Sequence, residues 1–99
     1  MKLVRDKIPQ IIIDSGRIPR YHMADKSEHL SRLYDKMLEE MEEFKENPCV
    51  EEAADMLEVI NGLCHIYGIS MVSVIDVSTI KRIERGSFNK GVVLEEVKK

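Results

Sequence analysis

Two cysteines, Cys49 and Cys64, are all the thiol chemistry that this 99-residue chain carries, too few for the disulfide framework of a small secreted domain. A reducing cytoplasm is the expected compartment. On one helix they would lie about 22 Å apart in rise, beyond any bridge, so both are expected as core thiols. No apolar run approaches the roughly 20 residues that span a bilayer. The start, Met1-Lys2-Leu3-Val4-Arg5-Asp6, lacks the apolar core of a signal peptide. The expectation is a soluble chain with no membrane partner. There is no internal repeat, low-complexity stretch or linker, so residues 1–99 read as one domain. A domain this small buries only about 60–65% of its unfolded surface, a strong incentive to oligomerise.

What is present is ordinary globular composition, 43% apolar and 33% charged, with an uneven distribution of charge. Residues 25–58 hold twelve acids against four bases. Lys2, Arg5, Lys7, Arg17 and Arg20 precede that stretch, and Lys81, Arg82, Arg85 and Lys90 follow it. Nucleic-acid binding would call for a basic stripe across the domain, which the net charge of −3 does not offer. An acidic middle between basic ends suits a cation together with a polyanionic small ligand.

Punctuation and periodicity predict helices. Asp6 is placed to cap a short helix through Ile8, Ile11 and Ile12 that stops at Ser15-Gly16, with Pro9 tolerated in its first turn. Arg17 to Met23 reads as an extended connector. Asp25 and Glu28 stand in capping-box spacing before Leu30, Leu33, Tyr34, Met37, Leu38, Met41 and Phe44, which predicts an amphipathic helix over 26–46. Asn47-Pro48 stops it and starts a second long helix that runs to Tyr67-Gly68. Ser70 can cap a third, ending near Arg85-Gly86, although β-branched Val72, Val74, Ile75, Val77, Thr79 and Ile80 would equally suit a strand. Ser87 to Lys99 reads as a turn followed by an extended Val92-Val93-Leu94. The fold expected is all-α: a hairpin of two long helices with shorter flanking helices, its four-helix bundle core completed by oligomerisation.

At 100° per residue the first long helix buries a stripe centred on Leu30, Met37 and Met41, with Glu40 at its edge and Glu43 its i, i+3 neighbour. Glu39, Glu42 and Glu46 suit a solvated face. The second long helix has two apolar stripes, one of Val50, Ala53, Leu57, Ile60 and Cys64, the other of Met56, Val59, Leu63 and Ile66. A helix with two apolar faces is sandwiched between layers. Glu52 and Asp55, again at i, i+3, lie on the side continued by Val59 and Ile66, and so face packed protein. First-turn acids favour the helix dipole, which accounts for Glu51 and Glu52 but not for Asp55. A tight helical turn would bring Glu40 and Glu43 to Glu52 and Asp55. Carboxylates desolvated together need cationic partners or a bound cation, and oxygen-only ligation favours Mg²⁺ or Mn²⁺. Mg²⁺ keeps waters and recruits substrate phosphates.

These residues carry a resemblance. Glu39-Glu40-Met41-Glu42-Glu43 followed by Glu52-Ala53-Ala54-Asp55 resembles the EExxE and ExxD motifs of the all-α nucleoside triphosphate pyrophosphohydrolase superfamily, the MazG-like and phosphoribosyl-ATP pyrophosphohydrolase-like proteins. Lys2-Leu3-Val4-Arg5-Asp6-Lys7-Ile8-Pro9 and Arg85-Gly86-Ser87-Phe88-Asn89-Lys90-Gly91 look like terminal motifs of one subgroup. The resemblance implies that Glu40, Glu43, Glu52 and Asp55 hold Mg²⁺. It also implies hydrolysis of an α–β phosphoanhydride to a nucleoside monophosphate and pyrophosphate, Glu39 or Glu40 handling the attacking water. Arg5, Lys7 and Arg85, then Lys2, Arg82 and Lys90, are the expected phosphate ligands for a nucleoside triphosphate. A homodimer or homotetramer is expected. The interval from Glu43 to Glu52 is shorter than in many members, and Ser87 stands where Gly is expected. Tyr34, Phe44 and Tyr67 lie on apolar stripes and read as core; Phe88 could stack on a base. Glu58, one turn after Asp55, could assist the site or be plain surface. Two other readings stay open: the phosphoribosyl-ATP step of histidine biosynthesis, and a catalytically silent helical oligomerisation module.

Overall fold

The computed structural model describes residues 1–99. It is all-helical: α1 (Ile8–Asp14), α2 (Lys26–Glu46), α3 (Val50–Tyr67) and α4 (Met71–Arg85), with no strand. Two compact units divide the chain, Met1–Gly68 and Ile69–Lys99. No single helix is long and apolar enough to cross a membrane.

In the first unit, α2 begins where Asp25 accepts a hydrogen bond from the Glu28 amide at 2.9 Å, one of the four donors a helix start leaves unpaired. The reciprocal half of the expected capping box does not form. The Glu28 carboxylate turns instead to Arg32 Nε at 2.7 Å and His22 Nε2 at 2.9 Å, because two cationic or donor groups outcompete one backbone amide. Those partners hold the Glu28 carboxyl below its ordinary range, Arg32 first and His22 second. Asp6 does not cap α1 either. Lys7 occupies the cap position with no side-chain hydrogen bond; the chain enters instead through a tight turn in which the Ile8 amide donates to the Arg5 carbonyl at 3.0 Å.

Helices α2 and α3 pack as a hairpin across the three-residue link Asn47-Pro48-Cys49. Their antiparallel sense follows from the contacts: Tyr34, early in α2, meets Tyr67 at the end of α3, hydroxyl to hydroxyl at 2.9 Å. Helix α3 ends at Gly68, whose left-handed φ of +69° lets its amide cap the carbonyls of Cys64 and His65, a conformation that costs a residue with a Cβ about 1 kcal/mol. Leu33 and Val59 form the buried apolar centre. Leu33 lies over Gly62, where even a Cβ would stand 3.1 Å from its Cδ2.

The buried stripe of α2 differs from the one the sequence predicts. Leu30, Leu33, Met37, Glu40 and Phe44 face α3 or are partly covered, whereas Met41 is 48% exposed and Leu38 63%. Two overlapping apolar sets run along this helix, and a single partner helix covers one of them. The same holds for α3: the stripe of Met56, Val59, Leu63 and Ile66 is covered, while Val50, Leu57 and Ile60 are exposed. The sandwich expected of α3 is not seen: one of its apolar stripes is covered and the other is open. Tyr34 and Tyr67 are half exposed rather than core, and the free cysteines are only half-buried.

In the second unit, residues 71–85 are helix rather than strand. Ser70 caps them by accepting from the Ser73 amide at 3.4 Å, and Thr79 folds its hydroxyl back to the Ile75 carbonyl at 3.0 Å. β-Branched residues need a neighbouring strand to express their preference, and none is present. The tail contains the expected turn, with the Asn89 amide donating to Ser87 Oγ at 3.2 Å; Val92-Val93-Leu94 pairs with nothing and stays exposed.

Because so little apolar surface is fully buried, Leu33→Ala is expected to cost about 2–5 kcal/mol. Ile18→Ala, at a residue 96% exposed, should stay within about 0.5 kcal/mol. Urea unfolding followed by circular dichroism measures both.

Candidate metal centre

Helical spacing places Glu39, Glu40 and Glu43 on adjoining positions of α2, and Glu52 and Asp55 one turn apart on α3. The hairpin joins the two sets through Glu40, and Glu43 does not group with Glu52 and Asp55 as the sequence had implied. Carboxylate oxygens of Glu39, Glu40 and Glu43 lie within 4.8 Å of one another, as do those of Glu40, Glu52 and Asp55. Glu40 belongs to both groups. At 4% exposure it is the one buried charged residue, not the edge residue that the predicted stripe implied. Its Oε2 and that of Glu52 are buried without a hydrogen-bond partner.

A buried carboxylate among others is an unfavourable arrangement in the absence of a cation, since desolvation and like charge both oppose ionisation. Glu40 responds as expected. Burial first, and then Glu43, push its carboxyl above the ordinary range, against the opposing pull of Lys36. Lys36 was not singled out by sequence reasoning. Its Nζ is 3.4 Å from Glu39 Oε2 and 3.4 Å from Glu40 Oε1. Burial depresses the Lys36 ammonium, but Glu39 and Glu40 outweigh that and raise it above the usual lysine range. The signal that could have found it is its place three and four residues before the paired glutamates, the spacing at which helical side chains meet.

The expected phosphate ligands fall into separate groups. Lys2 Nζ lies 3.0 Å from Glu39 Oε1, and Arg5 Nη2 lies 2.8 Å from Asp55 Oδ1. The Lys2 bond holds the Glu39 carboxyl below the usual range, with Lys36 adding to the effect. Lys7 is exposed and makes no side-chain hydrogen bond or ion pair. Arg82 and Arg85, with Lys81, line a groove of about 990 Å³ in the second unit, floored by Val74 and Val77. Lys90 is exposed in the turn that follows, and Phe88 is bare of any contact that shields it. Glu58 points away to solvent and accepts from Asn61 on its own helix at 3.3 Å.

The donor set fits a hard divalent cation. It is all oxygen, it carries more negative charge than its neighbours neutralise, and two of its oxygens are orphaned and buried. Neither cysteine belongs to either group, so a soft-metal site is not what these helices assemble. What the arrangement can do chemically is hold a cation between two helices, with Lys2, Lys36 and Arg5 positioned around its rim.

Replacing the buried charge separates stability from ligand binding. An acid whose folded pKa is raised binds its proton more tightly folded than unfolded, so stability is greatest below the unfolded value and falls as pH climbs through the folded one. At neutral pH without metal, Glu40→Gln is therefore expected to raise the Tm by a few degrees, about 1 kcal/mol. The same substitution should abolish any stabilisation by added Mg²⁺. Thermal melts at several pH values, with EDTA and with excess Mg²⁺, read both effects; a lower Tm without metal would contradict the account. Compared with known proteins, the chain matches no family, no curated protein and no solved structure.

Proposed function

We propose that residues 1–99 act as one domain, a cytoplasmic Mg²⁺-dependent nucleotide pyrophosphohydrolase of the MazG-like kind, converting a nucleoside triphosphate to its monophosphate and pyrophosphate. The observation that carries the reading is Glu40: a carboxylate 4% exposed, with an orphaned oxygen, inside two overlapping acid groups. A fold gains nothing from that arrangement unless a cation enters it. The motif pairs Glu39-Glu40-x-x-Glu43 and Glu52-x-x-Asp55 supply the reaction class by resemblance.

In this reading Glu40, Glu43, Glu52 and Asp55 are the metal ligands. When bound, the cation neutralises phosphate charge and acidifies a coordinated water. Glu39 would orient that water and take its proton, a weaker base while Lys2 and Lys36 pair with it. Lys2, Arg5 and Lys7 supply positive charge for the triphosphate; Arg82, Arg85 and Lys90 are further candidates by the resemblance of their segment alone. Lys36 balances the inner acids.

A homodimer or homotetramer belongs to the same proposal. On the hairpin, Leu38 and Met41 of α2 and Val50, Leu57 and Ile60 of α3 remain uncovered. Pairing that face with its counterpart in a second copy makes a four-helix bundle.

The deciding assay is pyrophosphate release across dNTPs, NTPs and phosphoribosyl-ATP, with Mg²⁺ or Mn²⁺ and with EDTA. Metal-dependent release from nucleoside triphosphates is expected, reduced by at least about a hundredfold in Asp55→Asn. Release from phosphoribosyl-ATP alone would reassign the substrate. No release from any of them, with Mg²⁺ binding unchanged in Asp55→Asn, would sink the proposal. Light scattering should give a mass at least twice that of one chain, falling toward one chain in Leu38→Glu/Leu57→Glu; a monodisperse wild-type monomer contradicts the bundle.

A further inference from the structure

Lys2 and Arg5 have a second part to play at the acids. The irregular segment before α1 reaches both arms of the hairpin, Lys2 bonding to Glu39 on α2 at 3.0 Å and Arg5 to Asp55 on α3 at 2.8 Å. The Met1 carbonyl accepts from Arg32 Nη1 at 3.3 Å, a third tie to α2. Arg5 therefore occupies an oxygen that a metal ligand must free, and Lys2 occupies the carboxylate that would handle water.

We infer that the N-terminal segment is a strap, fastened across the metal-free acids by Lys2 and Arg5 and unfastened when a divalent cation enters. The inference rests on the metal reading above. Three observations carry it. Both ion pairs are exposed, the Lys2 side chain 72% and the Arg5 side chain 58%, and exposed pairs contribute little and are readily exchanged. The two cations satisfy only the outer acids, for Glu40 Oε2 and Glu52 Oε2 stay buried and unpartnered beneath them. Finally, residues 1–5 belong to no helix and donate no backbone hydrogen bond; Arg5 accepts one, from the Ile8 amide, so residues 1–4 can lift away and the Arg5 side chain can leave Asp55 without breaking a helix. Lys36 differs on each count: it sits within α2, is 26% exposed, and bridges Glu39 and Glu40 from one turn away, so it remains in place.

The exchange has a chemical consequence. A divalent cation takes over the carboxylates that Lys2 and Arg5 neutralised, and the freed ammonium and guanidinium stand beside the site with no anionic partner. A ligand bearing adjacent phosphates supplies one. The same two cations thus serve the acids in the empty protein and the polyanion in the loaded one, and the metal must bind before the phosphates gain them.

The test uses the full chain and two readouts that need no turnover. Electron paramagnetic resonance titration of Mn²⁺ compares wild type, Lys2→Met/Arg5→Met and Arg17→Met; the last removes one exposed charge of the same sign away from the acids. The double variant is expected to bind Mn²⁺ about three- to tenfold more tightly, with Arg17→Met close to wild type. In the wild type, saturating Mg²⁺ should lower the heteronuclear ¹⁵N NOE of the Val4 and Arg5 amides while those of α2 and α3 hold. Mn²⁺ binding by the wild type with either readout unchanged overturns the strap and leaves the metal reading standing. No Mn²⁺ binding by the wild type overturns both.

Discussion

The burial of the Glu40 carboxylate between α2 and α3 is the constraint around which the first unit is arranged. Leu30, Leu33, Met37, Glu40 and Phe44 recur at intervals of three and four, the spacing of a helix–helix seam. Four of these positions are apolar and one is charged. A leucine there would pack without desolvating a charge, and buried ionic groups are commonly replaced by apolar ones with no loss of stability. Glu43, Glu52 and Asp55 around it add repulsion. Only Lys36 compensates from within the helix pair, and it reaches one oxygen of Glu40. The hairpin holds negative charge at its centre under a standing electrostatic penalty, which a cation would relieve.

Rigidity is distributed to match. The acids stand on two helices packed with Leu33 over Gly62 and ended by the Gly68 cap, rigid elements of the kind a metal site would need. The cations that reach them from outside, Lys2 and Arg5, stand on irregular chain. Fixed anions and movable cations make a site that can change its counterions without changing its shape. If the order were reversed, with mobile acids and fixed cations, entry of a metal would have to organise its own ligands and bear the entropy of doing so.

Much of this was legible in the sequence because it depends on local rules. Asp25, Asn47-Pro48, Gly68, Ser70 and Gly86 bound their helices through caps and turns that act over four or five residues, and the i, i+3 pairing of acids follows from helical period alone. Three features were not legible. Helices α2 and α3 each carry two apolar stripes, and which one is covered depends on the partner, so Glu40 read as an edge residue until α3 was in place. Asp6 and Glu28 satisfy the local pattern for capping, yet tertiary neighbours decide otherwise: a turn closed on Arg5 in one case, Arg32 and His22 in the other. Lys2 and Arg5 lie 37 and 50 residues from their partners, a separation over which no periodicity speaks.

The same two helices also explain how so small a chain could tolerate its acidic seam. On α3, Asp55, Val59 and Ile66 share the covered side, while Val50, Leu57 and Ile60 fall on the opposite, uncovered side. Association through that outer side would add apolar burial at about 25 cal/mol per Å² without approaching the acids. The stabilisation and the electrostatic strain would then lie on opposite faces of one helix. Each could vary without disturbing the other: the outer face by changes in shape and hydrophobicity, the inner face by changes in charge. A monomer of this size with both an unsatisfied carboxylate in its seam and its second apolar stripe in water would carry two penalties on a very small core, Leu33 and Val59 being its only buried apolar residues. Removing either one suffices to make the fold tenable, and the two ligands that would do so, a divalent cation and a second copy, act from opposite sides of the same hairpin.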